Sequence, residues 1–272
     1  MVTQKLDEPR SYGLKLRFSG KTVDEKGLDL YDGARSFEGF AQALQIVVHA
    51  YLSNEVVSRS TALRGAKLYF GSPKRGSVLF DIVALIEQYP ATAGISAVVF
   101  YDFVKYSFAR ATGLFEKKPE TKAVQKLAVD EEFFDRLSFV LEGSLQRGHR
   151  AIDNGVKKIT LERPRSTLLT FDLETSRWVH TREEDPDIVE FHGHVTRYNS
   201  ITGNGRAYIR ELDKVVPFRP SEHFSQAKCS HLSWSLHGST TYTKKELIFK
   251  ASTIISAGDA IKRLILEDCS MA

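Results

Sequence analysis

Cysteine is scarce. Cys229 and Cys269 are the two in 272 residues, far apart in the sequence and outside any C-x-x-C spacing. That argues against a disulfide scaffold and fits a reducing, cytoplasmic location. Long apolar runs are missing as well: the longest, around Ile95 to Tyr101, falls far short of the ~20 residues that span a bilayer and is followed by Asp102 and Lys105. The opening residues, MVTQKLDEPRSYG, carry no signal-peptide core. The chain therefore reads as soluble and unprocessed, with no membrane partner. No run of five like charges occurs, and the formal net charge is only +4. Such a balance permits contact with phosphates or an acidic partner without requiring either.

Catalytic signatures are absent too. There is no G-x-S-x-G elbow and no H-E-x-x-H pair. The acidic run Glu183-Glu184-Asp185-Pro186-Asp187 superficially suggests a metal-dependent hydrolase or nuclease. It has the look of an exposed connector, however, and no E-x-K partner follows it. Gly71-Ser72-Pro73-Lys74-Arg75-Gly76 has the glycines and lysine of a phosphate-binding loop without the GxxxxGK[ST] spacing, and no helical pattern begins after it. These absences leave a chain with no cofactor and no enzymatic activity to assign.

What is present is a mixed composition, 42% hydrophobic and 26% charged, sufficient for two ordinary cores. Tyr12 to Phe18 alternates apolar and basic residues, as a half-buried strand does. From Ser36 to Asn54 apolar residues recur every three or four positions, a helix with Ser36 or Asp32 as N-cap. Ala66 to Phe70 and Ser77 to Ile86 flank the glycine-proline turn as a hairpin with a basic tip. Ile95 to Phe115 is apolar on nearly every side. Its aromatics Phe100, Tyr101 and Phe103 belong either to the core or to an oligomer or partner contact. A further helical region follows Pro119 and ends near Gly148.

Beyond Asp153-Asn154-Gly155 the pattern becomes nearly all β. Strands are expected at 156–161, 168–172, 188–198, 206–212, 215–218, 231–236, 247–256 and 261–266. The fold class is thus α+β: an N-terminal small antiparallel sheet with packed helices over 1–155, then a small β-barrel of OB or SH3-like character over 156–272.

Phe191 to Pro220 is the most informative stretch. Gly193-His194-Val195-Thr196-Arg197-Tyr198-Asn199, then Gly203-Asn204-Gly205, then Val216-Pro217-Phe218 follow the order of two binding strands, and in this the stretch resembles the cold-shock kind of OB-fold domain. The resemblance implies a barrel whose surface aromatics stack on bases, with Tyr198 and Phe218 at those positions. Arg197 stands where that family has a tryptophan, and Asn204 and Arg206 replace aromatics. From the residues themselves, Arg197, Arg206, Arg210 and Arg219 with Tyr198 and Tyr208 form a basic, aromatic face, opposed by Glu211, Asp213 and Glu222. Histidines gather here as well. His192 with His194, and Cys229 with His231, share strand faces two residues apart and have zinc-ligand chemistry, although polar strand residues need no metal. The reading is a non-enzymatic binding protein that self-associates and takes a protein partner, with nucleic acid as the alternative.

Overall fold

The computed structural model describes residues 10–57, 66–70, 78–86, 96–152, 154–180, 185–240, 245–256 and 260–272. The chain divides into two compact units, Met1–Val179 and His180–Ala272. The boundary expected near residue 155 lies later because strands after it belong to the first sheet.

The first unit holds strands β1 (Arg10–Ser19), β2 (Ala66–Phe70), β3 (Val78–Ile86), β4 (Lys158–Arg163) and β5 (Ser166–Phe171) in the order β2-β3-β1-β4-β5, all antiparallel. Alternation in β1 sends Tyr12, Leu14, Leu16 and Phe18 into the core and Lys15 and Arg17 to the opposite face. There Lys15 meets Asp81 of β3 at 3.9 Å and Arg17 meets Glu162 of β4 at 2.9 Å, opposite-charge pairs that favour the observed register on both sides. The 66–86 hairpin is present as expected, and its basic tip lies outside the described residues.

Among the described residues six α-helices accompany the sheet: α1 (Lys21–Lys26), α2 (Leu30–Ser53), α3 (Ala97–Ala111), α4 (Lys122–Ala128), α5 (Glu131–Gly148) and α6 (Leu173–Val179). α2 begins earlier than Ser36. Asp29 is the N-cap, its carboxylate accepting from the N–H groups of Tyr31 and Asp32, both at 2.9 Å. Ser36 is instead buried, donating its hydroxyl to the Gly148 carbonyl of α5.

The aromatics of α3 are core. Phe100 is fully buried and stacks on Tyr12 at 4.8 Å, Tyr101 donates its hydroxyl to the Gly13 carbonyl at 2.9 Å, and Phe103 packs on Phe134 at 5.7 Å. Phe100, Tyr101 and Phe103 therefore do not form the oligomer or partner surface considered for them; the unit's own sheet and helices consume that apolar area.

The second unit is a closed barrel of β6 (Asp185–Tyr198), β7 (Gly205–Ile209), β8 (Lys214–Pro220), β9 (Leu247–Ile255) and β10 (Ile261–Met271), with helix α7 (Cys229–Thr240) between β8 and β9. Counting from β6, the strands close in the order 1-2-3-5-4, with β8 and β10 parallel and the other pairs antiparallel. This is the OB-fold arrangement. Residues 231–236 are helical rather than extended. Their apolar alternation is incidental: Leu232 and Ser235, three apart, are the buried positions. The Ser235 hydroxyl accepts from the Val195 N–H at 3.0 Å and donates to the Lys245 carbonyl at 2.8 Å, which ties α7 to the start of β9 and to β6.

Candidate binding face of the barrel

Along β6, Phe191, Gly193 and Val195 point inward and the intervening residues outward. Strict alternation would then carry Arg197 into the core. A β-bulge between Val195 and Arg197 prevents this: Val195 pairs with Ala207, but Arg197 pairs with Arg206. Thr196 is the extra residue, and its hydroxyl donates to the Arg206 carbonyl at 3.2 Å. The bulge brings Arg197 and Arg206 to the same outer face, directly opposite one another.

The next rung of that face is aromatic. His194 pairs with Tyr208, their rings 5.4 Å apart and inclined by 31°. The Tyr208 hydroxyl donates to Asp213 at 2.7 Å, and this bond raises the phenol's pKa. On β8 the partners of these rungs are Val215, opposite Tyr208, and Pro217, opposite Arg206. Arg219 follows on the same side of β8 and is exposed.

The loop from β6 to β7 closes on an Asx turn. The Asn199 side chain accepts from the N–H groups of Ile201 at 2.9 Å and Thr202 at 3.2 Å. Gly203 takes φ +74°, and Ile201 at the tip is 93% exposed. Gly205, two residues on, serves packing: a Cβ there would lie 2.3 Å from the Phe218 ring.

Of the seven expected binding residues, four share the face: Arg197, Arg206, Tyr208 and Arg219. Tyr198 is turned inward beside Gly205 by the same bulge and packs on the barrel core. Phe218 is 3% exposed and faces Phe249 across the interior, at 6.4 Å. Neither can stack on a ligand at the surface. Arg210 sits in the 3-10 turn after β7 and is ion-paired with Glu246. His194 and Pro217, outward on adjoining rungs, were not counted among the binding residues; strand parity from Tyr208 and Arg206 is the signal that finds them.

Two of the acidic residues that weighed against an anionic ligand, Glu211 and Asp213, are held by neighbours. Glu211 accepts from the His192 N–H at 3.0 Å and meets the His192 ring at 2.7 Å. Asp213 holds Tyr208, and Glu246 holds Arg210. The zinc arrangement does not assemble as supposed, because Cys229 and His231 lie on a helix, where residues two apart diverge. Among the described residues no group of three or more His, Cys, Asp or Glu side chains is gathered to hold a metal ion.

Residues 14–180 match a family model described as a domain of unknown function, DUF7946. The chain belongs to the DUF7946 family. No curated protein and no solved structure matches it. The DUF7946 match runs from β1 to the end of the first unit, so the barrel lies beyond it.

The DUF7946 unit has an aromatic surface of its own. Phe115, 52% exposed, meets Trp178 edge-to-face at 5.1 Å and lies under the Arg110 guanidinium at 5.9 Å. Asp135 holds Arg110 at 2.8 Å. Among the described residues no helix is long and apolar enough to cross a membrane.

Proposed function

We propose that the chain is a non-enzymatic binding protein and that the outer face of β6, β7 and β8 takes a single-stranded nucleic acid. The observation that carries this reading is the Arg197–Arg206 pair set one rung from the His194–Tyr208 rings. Arginines at facing strand positions suit successive phosphates, and a ring pair on the next rung offers a base a stacking surface. Two of these strands, β7 and β8, are the second and third of an OB barrel, whose face binds oligonucleotides and oligosaccharides in that fold. The test is fluorescence anisotropy of labelled single strands over a salt series. Affinity should fall steeply with salt, and Arg197→Ala with Arg206→Ala should reduce the log–log slope by about 1.4, two phosphate contacts at ~0.7 each. No binding, or binding that salt leaves unchanged, would sink the reading.

A protein partner is the second reading, favoured by the Phe115, Trp178 and Arg110 surface of the DUF7946 unit. Aromatics and arginine are the residue types that anchor protein interfaces. Self-association belongs to this reading. Light scattering of the intact chain and of Phe115→Ala separates the cases: a dimer that the substitution dissolves supports it, and a monomer in both removes self-association.

A further inference from the structure

The two cysteines, distant in sequence, meet at one end of the barrel. Cys229 is the first residue of α7 and is partly exposed; Cys269 lies on β10 and is fully buried. The Cys269 thiol donates to the Lys228 carbonyl at 3.7 Å, so its sulfur rests on the peptide group that leads into Cys229. Lys228 and His231 grip the Cys269 carbonyl from the other side, at 2.9 Å and 3.3 Å, which holds the first turn of α7 against β10. Tyr198 marks the same place. Burial, and then the Cys229 and Cys269 thiols, push its hydroxyl's pKa up. No third metal-ligand side chain joins them among the described residues, which leaves thiol chemistry.

We propose that Cys229 and Cys269 form an intramolecular disulfide when a hydroperoxide oxidises the chain. The Cys229 thiolate attacks the peroxide oxygen, the O–O bond breaks, and a sulfenic acid forms with release of water, or of an alcohol from an alkyl peroxide. Cys269 then attacks the Cys229 sulfur, the S–O bond breaks, and a second molecule leaves as water. Two thiols and one peroxide yield one disulfide, with the thiol protons carried off in the two leaving molecules. Exposure sets the order, because Cys229 is the one that meets the oxidant. Burial pushes the Cys269 thiol up to about 11, which makes the second step the slow one and speeds it as pH rises. The bond would fasten α7 to β10. This inference does not depend on the nucleic-acid reading.

The experiment treats the full chain with hydrogen peroxide, alkylates it under denaturing conditions, and maps the peptides without reduction. The expected result is joint loss of both thiols, a cross-linked peptide pair containing Cys229 and Cys269 in a monomeric chain, and full recovery with dithiothreitol. Cys229→Ser should leave Cys269 alkylatable after peroxide. Dimedone should trap a sulfenic acid at Cys229 in Cys269→Ala. Over-oxidation of Cys229 to the sulfinic acid with Cys269 still free, or a disulfide between chains, would overturn the proposal. The mapping of the unmodified sequence decides it even if a variant does not fold.

Discussion

Arg197 of β6 stands directly opposite Arg206 of β7, a like-charge pair placed there by the bulge at Thr196. Like charges facing each other across two strands cost stability, and opposite charges gain about 0.2–1 kcal/mol. Arg197→Glu should therefore raise the barrel's melting temperature slightly while weakening binding to a single strand. Stability and binding would move in opposite directions, which general misfolding cannot produce. A variant that loses both together would show that Arg197 holds the fold rather than a ligand.

Gly39 of α2 lies against α5 with no room for a side chain. A Cβ there would come within 2.3 Å of the Gly148 nitrogen and 2.5 Å of the Ser144 carbonyl oxygen, and both are backbone atoms that cannot swing aside. Gly39→Ala should force the two helices apart at a cost of about 3 kcal/mol. Amide exchange should quicken throughout the first unit and leave β6 to β10 unchanged. Uniform exchange across both units would contradict their division at Val179.

Much of this architecture was legible because it rests on regular periods. β1 shows alternation and α2 a three-and-four spacing, and the β-branched, apolar run of β10 reads as the strand it forms. What failed did so where a period was accidental or broken. Leu232, Trp234 and Leu236 alternate as a strand would, yet they lie on α7, where Ser235 is the buried residue that ties the helix in place. The bulge at Thr196 leaves no trace in composition, and it alone decides that Arg197 faces out and Tyr198 in. Residues after Gly155 look like a new domain because their β character is local, whereas β4 is claimed by β1, far behind it in the chain. The meeting of Cys229 and Cys269 is equally non-local.

Glu211 makes the barrel acid-sensitive in a definite sense. Burial pushes its carboxyl up, but hydrogen bonds from backbone N–H groups and from the His192 ring outweigh that and hold it below the ordinary value of 4.5. A carboxyl depressed in the folded state contributes stability that is present above the unfolded value and is lost as pH falls through the folded one. Melting of the barrel should thus decline below about pH 4.5, and Glu211→Gln should flatten that decline. With side chains about 40% exposed, the difference should stay under ~1 kcal/mol and shrink in high salt. An acid limb identical in the two proteins would remove Glu211 as its source.

Asp102 is a buried carboxylate with a structural duty. On α3 and 4% exposed, it accepts from the Glu120 N–H at 3.0 Å, the Thr121 N–H at 2.7 Å and the Thr121 hydroxyl at 2.7 Å. Thr121 in turn caps α4 by accepting from the Val124 N–H at 3.3 Å. Removing the acceptor strands two backbone donors in the interior, each worth about 1–3 kcal/mol. Asp102→Ala should therefore destabilise the first unit by about 2–4 kcal/mol, and Asp102→Asn, which keeps one acceptor oxygen, by roughly half as much. Urea titration followed by Trp178 fluorescence in a Trp234→Phe background reads the first unit, and single-strand anisotropy below the transition reads the barrel. Asp102→Ala should shift the first and spare the second, whereas a lost anisotropy signal at full folding would place Asp102 in the binding machinery instead.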